Sequence, residues 1–303
     1  MSALNLQSSN SQSVWAYLQL MRPANIVTAW ADILMGCAAA GIYTSNLDFT
    51  IIFWLLLSTT GLYGGGVVFN DVCDAELDAV ERPERPIPSG KASLFGAIAL
   101  GTSLLAMGIF SAAMVSTLSA TLATVVAAMA LVYDLWGKHQ TFLGPLNMGV
   151  CRGGNLLLGV SAVPLAVGDR WYLALIPIVY IAAITAIAQG EVYGGKKATG
   201  IIAIALVSLV VGSIIALKLL PEYTLTSTLP FLLLFIALVF PPFIKAAANP
   251  NPQYIQTAVK AGILSLIVLN ATIATGFTDW IYGLCLLALL PLSGFLGKMF
   301  AIT

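Results

Sequence analysis

The chain has 303 residues, of which 59% are hydrophobic and 9% charged, and its thirteen basic and thirteen acidic side chains leave no net charge. Soluble domains carry roughly 25% charged residues, so this composition excludes an ordinary soluble enzyme. Without a basic excess, no nucleic-acid partner is expected.

From the N-terminus, residues 1–20 ("MSALNLQSSNSQSVWAYLQL") read as a polar tail. They lack the basic start, apolar core and small-residue cleavage site of a signal peptide, so none is expected. Apolar runs near the ~20 residues that span a bilayer then occur at 25–42, 50–69, 94–114, 117–133, 143–165, 171–188, 200–219, 229–247, 256–276 and 280–300. The runs are continuous, not alternating, and a spanning backbone must satisfy its polar groups internally. The expected fold is therefore an all-α integral membrane protein, a single domain over 1–303. Nine or ten transmembrane helices would surround a central cavity open to the cytoplasmic side.

With the N-terminus inside, Arg22, Arg82, Arg85, Lys91, Lys138, Lys196, Lys197, Lys245, Lys260 and Lys298 fall on the cytoplasmic face, and only Arg170 and Lys218 fall near the other. This is the positive-inside pattern. It leads us to expect a multi-pass protein of a bacterial inner membrane, with its N-terminus and active site cytoplasmic. Cys37, Cys73, Cys151 and Cys285 have no paired or metal-ligand spacing and read as packing residues or free thiols.

The second run ends in "NDVCDAELDAVERPERPIPSG", residues 70–90, which holds Asp71, Asp74, Glu76, Asp78, Glu81 and Glu84. On a continuous helix at ~100° per residue, Asp71 at about 0° puts Asp74 at about 300°, Asp78 at about 340° and Asn70 at about 260°, with Glu76 pointing away at about 140°. Like charges on one face repel and resist desolvation, and a divalent cation is the simplest reason to gather them. Mg2+ takes hard oxygen ligands, commonly one or two carboxylates together with substrate phosphates. Arg82 and Arg85 follow as candidate phosphate partners, and Pro83, Pro86 and Pro88 end the helix. The fourth and sixth runs also end in polar residues on the same face, as "LVYDLWGKH" and "AIAQGEVYGGKK". Helices ending in this way could converge on one cavity mouth.

"NDVCDAELD" followed by "RPERPIPSG" resembles the first aspartate-rich motif and trailing loop of the UbiA superfamily of intramembrane prenyltransferases. "LMRPANIVTAWAD", "VYDLWGKH" and "CRGGNLLLG" extend the resemblance over most of the chain, which is most similar to the divergent EboC-like branch. The resemblance implies Mg2+ held by Asp71, Asp74 and Asp78 with Asn70 assisting, and a prenyl diphosphate held by Tyr133, Lys138, Arg82, Arg85 and Arg152. Asp71, Asp74, Tyr133 and Lys138 would be the catalytic set. Tyr133 and Lys138 lie ~140° apart on a continuous helix, so they can cooperate only if the helix breaks between them, as Gly137 permits.

Arg152 and Asn155 lie inside the fifth run and Asp32 inside the first. Ionisable groups at such depth face a cavity or pair with each other: Arg152 and Asn155 could line the diphosphate pocket, or Arg152 could form an ion pair with Asp32, and both readings stand. Arg22 reads as an orientation signal, and His139 as a solvated loop residue. The pattern departs from the superfamily at the end of the sixth run, where a second aspartate-rich motif is expected. Here Glu191 is the only carboxylate, and Lys196 and Lys197 follow as possible substitute cations for the diphosphate.

The expected activity is Mg2+-dependent transfer of an isoprenyl group from a polyprenyl diphosphate to a lipophilic, aromatic acceptor in the bilayer. The degenerate second motif keeps an alternative open: a non-catalytic relative that binds, carries or exports a lipophilic metabolite.

Overall fold

The computed structural model describes residues 14–43, 48–140 and 143–300; the side chain of His139 lies outside the described set, as do residues 1–13 of the expected tail. Every regular element among the described residues is helical. A short helix over 14–21 (α1) precedes α2 (Pro23–Ala39), α3 (Phe49–Cys73), α4 (Ala75–Glu81), α5 (Leu94–Ala113), α6 (Thr117–Leu135) and α7 (Leu143–Val160). Then come α8 (Ala166–Arg170), α9 (Leu175–Ala188), α10 (Lys197–Ala216), α11 (Leu225–Ala248), α12 (Pro252–Phe277), α13 (Trp280–Leu287) and α14 (Leu289–Met299). Helix α1 occupies the end of the stretch expected to be a polar tail. It forms because Ala16 and Leu20 have a surface to bury against, Val68 of α3 and Ala97 and Leu104 of α5.

Eight helical stretches among the described residues are long and apolar enough to cross a membrane: α3, α5, α6, Ala166–Ala188, Lys197–Leu219, α11, α12 and Trp280–Met299. The two other apolar runs are α2 and α7, of 17 and 18 residues. They are shorter, and they are more polar because they carry Asn25, Thr28, Asp32, Asn147, Arg152 and Asn155, all buried. Side-chain caps fix several starts: Asp48 Oδ1 accepts from the amides of Thr50 and Ile51, Ser93 from Gly96, Ser116 from Ser119 and Asp279 from Tyr282. The outward faces carry large apolar residues such as Phe53, Phe110, Ile201 and Leu233, as lipid contact requires.

Helices α2, α3, α6, α7, α9 and α12 form an inner ring, with α5, α10, α11 and the α13–α14 pair packed outside it. Two apolar cores meet at α2 and α7. Val27, Ala31 and Met35 join one core, and Ile33 and Cys37 the other; Leu156 and Val160 join the first, and Leu158 the second. The two helices touch backbone to backbone. A Cβ on Gly36 would stand 2.4 Å from the Leu156 carbonyl oxygen, and one on Gly159 would stand 2.4 Å from that of Ile33. Small residues at such crossings are what let membrane helices approach this closely.

Buried polar bonds fasten the same crossing. Asp32 is fully buried; its Oδ2 pairs with Arg152 Nε at 2.6 Å and accepts from Asn155 Nδ2 at 2.9 Å, and its Oδ1 accepts from Asn270 Nδ2 at 2.7 Å. Arg152 Nη2 donates to the Thr28 carbonyl at 2.5 Å and to its Oγ1 at 3.0 Å, and the Thr59 hydroxyl donates to Asn155 Oδ1 at 2.6 Å. One carboxylate thus ties α2 to α7 and α12, and Asn155 brings in α3.

Gly159→Val forces a side chain into main-chain atoms and is expected to cost about 1–3 kcal/mol, seen as a lower midpoint in detergent thermal unfolding. Gly168→Ala, with nothing within 4 Å of the added carbon, is expected to leave the midpoint unchanged. Asp32→Ala strands the Arg152 guanidinium and is expected to cost about 3–5 kcal/mol. Asp32→Ala/Arg152→Met should recover much of that loss in the same unfolding measurement.

Candidate functional site

A cavity of about 350 Å³ lies inside the ring. Most of its interior is apolar, with Leu62 and Val67 from α3, Val126 and Ala130 from α6, Met148 from α7, Ile181, Ile184 and Ala188 from α9, and Val259, Ile263 and Leu266 from α12, while Tyr63, Thr185, Arg152 and Asn155 add polar groups to the wall. At the end where α2 and α7 begin and α3, α6 and α9 finish, the lining turns polar, with Arg22, Asn70, Arg82, Arg85, Tyr133, Asp134 and Glu191. The polar ends of the second, fourth and sixth apolar runs do converge on one mouth.

The aspartate-bearing segment is not one straight helix. Asp74, at φ −93° and ψ 2°, ends α3 and starts α4, although its amide still bonds to the Asn70 carbonyl at 3.0 Å. Asp71 and Asp78 nevertheless converge, because both reach Arg85 Nη1, at 3.3 and 2.6 Å. Glu76 is exposed on the opposite side. The bend gives Asp74 a different partner, Lys138 Nζ at 2.5 Å. That contact forms because α6 stops at Leu135 and a turn of 3-10 helix over Gly137–His139 redirects the chain. The break needed between Tyr133 and Lys138 is therefore present, and Tyr133 reaches the cavity while Lys138 reaches the aspartate.

Two residues outside the expected set belong to the site. Arg22 pairs with Asp71 Oδ1 at 2.7 Å and lines the cavity, whereas its sequence position suggested an orientation signal. It takes a left-handed backbone, φ 48°, between α1 and Pro23, a junction that no periodicity reveals. Asp134 is buried, lines the cavity and accepts from Asn70 Nδ2 at 3.0 Å. Its signal was its place beside Tyr133 in "VYDLWGKH".

Arg152 both pairs and faces the cavity. It is ion-paired to Asp32, and it also lines the cavity, with its guanidinium carbon 5.8 Å from the Tyr63 ring centroid. Asn155 lines the cavity beside it. Glu191 reaches the mouth from the turn after α9, and burial pushes its carboxyl above the usual range against the pull of Arg82 and Lys260. Lys196 and Lys197 are not among the lining residues. Gly194, at φ 87°, turns the chain, and Lys196 borders a separate recess of about 320 Å³ together with Gln189, Gly195 and Pro250.

Residues 29–191 match the UbiA prenyltransferase family. Digeranylgeranylglyceryl phosphate synthase of Saccharolobus solfataricus is 30% identical over 279 residues, which cover 84% of this chain and 97% of that protein. The protein of the same name from Methanoculleus marisnigri is 35% identical over 149 residues, 48% of this chain and 51% of its own length. The chain thus spans about half the length of several curated relatives that it matches. A solved structure of digeranylgeranylglyceryl phosphate synthase superposes at a TM-score of 0.66 over 88% of this chain and 98% of the other, at 20% identity. The likeness in fold extends to a UbiA homologue from Aeropyrum pernix, at a TM-score of 0.66, 18% identity and coverage of 82% and 96%. A family match across more than half the chain, and a relative aligned along nearly its whole length, agree with the helical ring and its polar mouth: the chain belongs to the UbiA prenyltransferase family.

Proposed function

We propose that this chain catalyses Mg2+-dependent transfer of an isoprenyl group from a polyprenyl diphosphate to a lipophilic acceptor in the membrane. The observation that carries this reading is the division of one cavity into a mouth bearing Arg22, Arg82 and Arg85 and an interior of Leu62, Val126, Ile181, Ile184 and Val259. A diphosphate with a hydrocarbon tail is divided in the same way. The relatives' name, digeranylgeranylglyceryl phosphate synthase, speaks of prenyl groups joined to another molecule and supports the same chemistry. The Lys and Arg distribution argues that the mouth faces the cytoplasm.

The donor set suits a hard cation. Asp134 Oδ2 and Glu191 Oε1 are buried without a hydrogen-bond partner, and oxygen donors of this kind are what Mg2+ takes, alongside substrate phosphates. In this reading Asp71, Asp74 and Asp78 would hold Mg2+, with Asn70 assisting, once the cations now paired with them turn to the diphosphate, and the metal would supply charge stabilisation for the departing group.

The chain's own residues supply the rest. Arg22, Arg85 and Lys138, paired here with Asp71, Asp78 and Asp74, are positioned to exchange those carboxylates for diphosphate oxygens. Arg82 and Tyr133 complete the mouth, and Arg152 with Asn155 presents donors along the wall. Lys196 and Lys197 lie outside the cavity lining and take no part in this reading. The apolar walls exclude water, so that an allylic cation meets the acceptor before it is quenched.

A second reading rests on one observation: between 189 and 197 Glu191 is the only carboxylate, which suits a protein that retains the cavity to bind or carry a lipophilic metabolite. Supplied with Mg2+, radiolabelled prenyl diphosphates and a lipid extract, the wild-type protein is expected to release pyrophosphate. Asp71→Ala should lower the rate at least about a hundredfold, and chelation of Mg2+ should abolish it reversibly. A wild-type protein that co-purifies with an isoprenoid yet releases no pyrophosphate would favour the carrier.

A further inference from the structure

Three of the carboxylates at the mouth are neutralised within the chain: Asp71 by Arg22 and Arg85, Asp78 by Arg85, and Asp74 by Lys138. None of the three is among the residues that line the cavity, whereas Asp134 is. Asp134 is 3% exposed, its Oδ1 is fixed by Asn70 Nδ2 at 3.0 Å, and its Oδ2 is buried without a hydrogen-bond partner. The charged groups facing it are Lys138, Asp74 and Asp71. Lys138 is held by Asp74, and Arg22 and Arg85 are held by Asp71 and Asp78. A buried carboxylate oxygen left in this state is costly unless a ligand completes it.

We propose that Asp134 is a metal ligand, supplying through Oδ2 a divalent-cation position on the α6 side of the mouth. A Mg2+ ion held there would bring its charge to the diphosphate end of the substrate, a role for which the 189–197 stretch offers only Glu191. Asn70 acts as its positioning residue, turning the carboxylate so that one oxygen is anchored and the other is free. Mg2+ suits the place because it binds through one or two carboxylates, completing its shell with waters and substrate phosphates. Glu191 Oε1, the other unpartnered carboxylate oxygen on the cavity wall, faces Arg82 and Lys260 instead. That local cationic field makes it the poorer cation site. This inference rests on the prenyl-diphosphate reading above.

The test is calorimetric titration of Mg2+ into the full chain in lipid nanodiscs, with and without an unreactive geranylgeranyl thiolodiphosphate. Asp134→Asn is expected to weaken Mg2+ uptake at least about tenfold, and Asp134→Glu to retain most of it. In thermal unfolding with chelator present, Asp134→Asn should be at least as stable as wild type, since it keeps an oxygen that accepts from Asn70 and removes the unpartnered carboxylate oxygen, and Mg2+ should no longer raise its midpoint. Unchanged Mg2+ affinity in Asp134→Asn overturns the inference and leaves prenyl transfer standing. A lower midpoint for Asp134→Asn in chelator marks the carboxylate as a structural group that the fold itself satisfies and also overturns it. A wild-type chain that takes up neither Mg2+ nor the analogue overturns both readings together.

Discussion

A carboxylate carried into a lipid-facing bundle must be given an opposite charge or hydrogen-bond donors, and the arrangement of this protein follows from how that demand is met. Asp32, the most deeply enclosed, is met by Arg152, Asn155 and Asn270, and meeting it fastens α2 to α7 and α12. Asp71, Asp78 and Asp74 are met at the mouth by Arg22, Arg85 and Lys138, and meeting them pulls the α1–α2 junction, the proline-rich loop and the end of α6 around one entrance. Charge compensation thus shapes the site as well as the scaffold, and the same cations that quiet the aspartates are the ones a diphosphate would need.

Much of this was legible before the structure. The apolar runs are helical, eight stretches of them long and apolar enough to cross a membrane among the described residues, because continuous apolar sequence in lipid leaves the backbone little alternative. The convergence of Asp71 and Asp78 followed from a spacing of seven residues, which survives a moderate bend. The destination of Asp74 did not, because the bend at that residue turns it toward Lys138, and its partner is 64 positions along the chain. Arg22 was misjudged for a similar reason: a charge just before a span is explained adequately by orientation, and only the left-handed turn at that residue aims it at Asp71. Asp134 escaped notice because its neighbour Tyr133 absorbed the significance of the motif, and no local pattern says which of two adjacent side chains faces a cavity.

The departure at 189–197 acquires a physical meaning once the lining residues are known. The glycine-rich turn that follows α9 directs Gln189, Gly195 and Lys196 to a different recess and leaves Glu191 as its sole acidic contribution to the mouth. The charge expected from α9 is reduced there, while α6 contributes a buried carboxylate of its own. The weight of negative charge around the entrance therefore lies toward α3 and α6.

The glycine contact between α2 and α7 constrains what the molecule can accommodate. Where two main chains already touch, that wall cannot be moved outward or inward by exchanging one apolar residue for another. Room for a longer or bulkier guest has to come from trimming the projections on the remaining walls, such as Leu62, Ile181 or Ile263. Diversification of ligand size in this scaffold is thereby confined to a few side chains whose alteration leaves the helix framework in place.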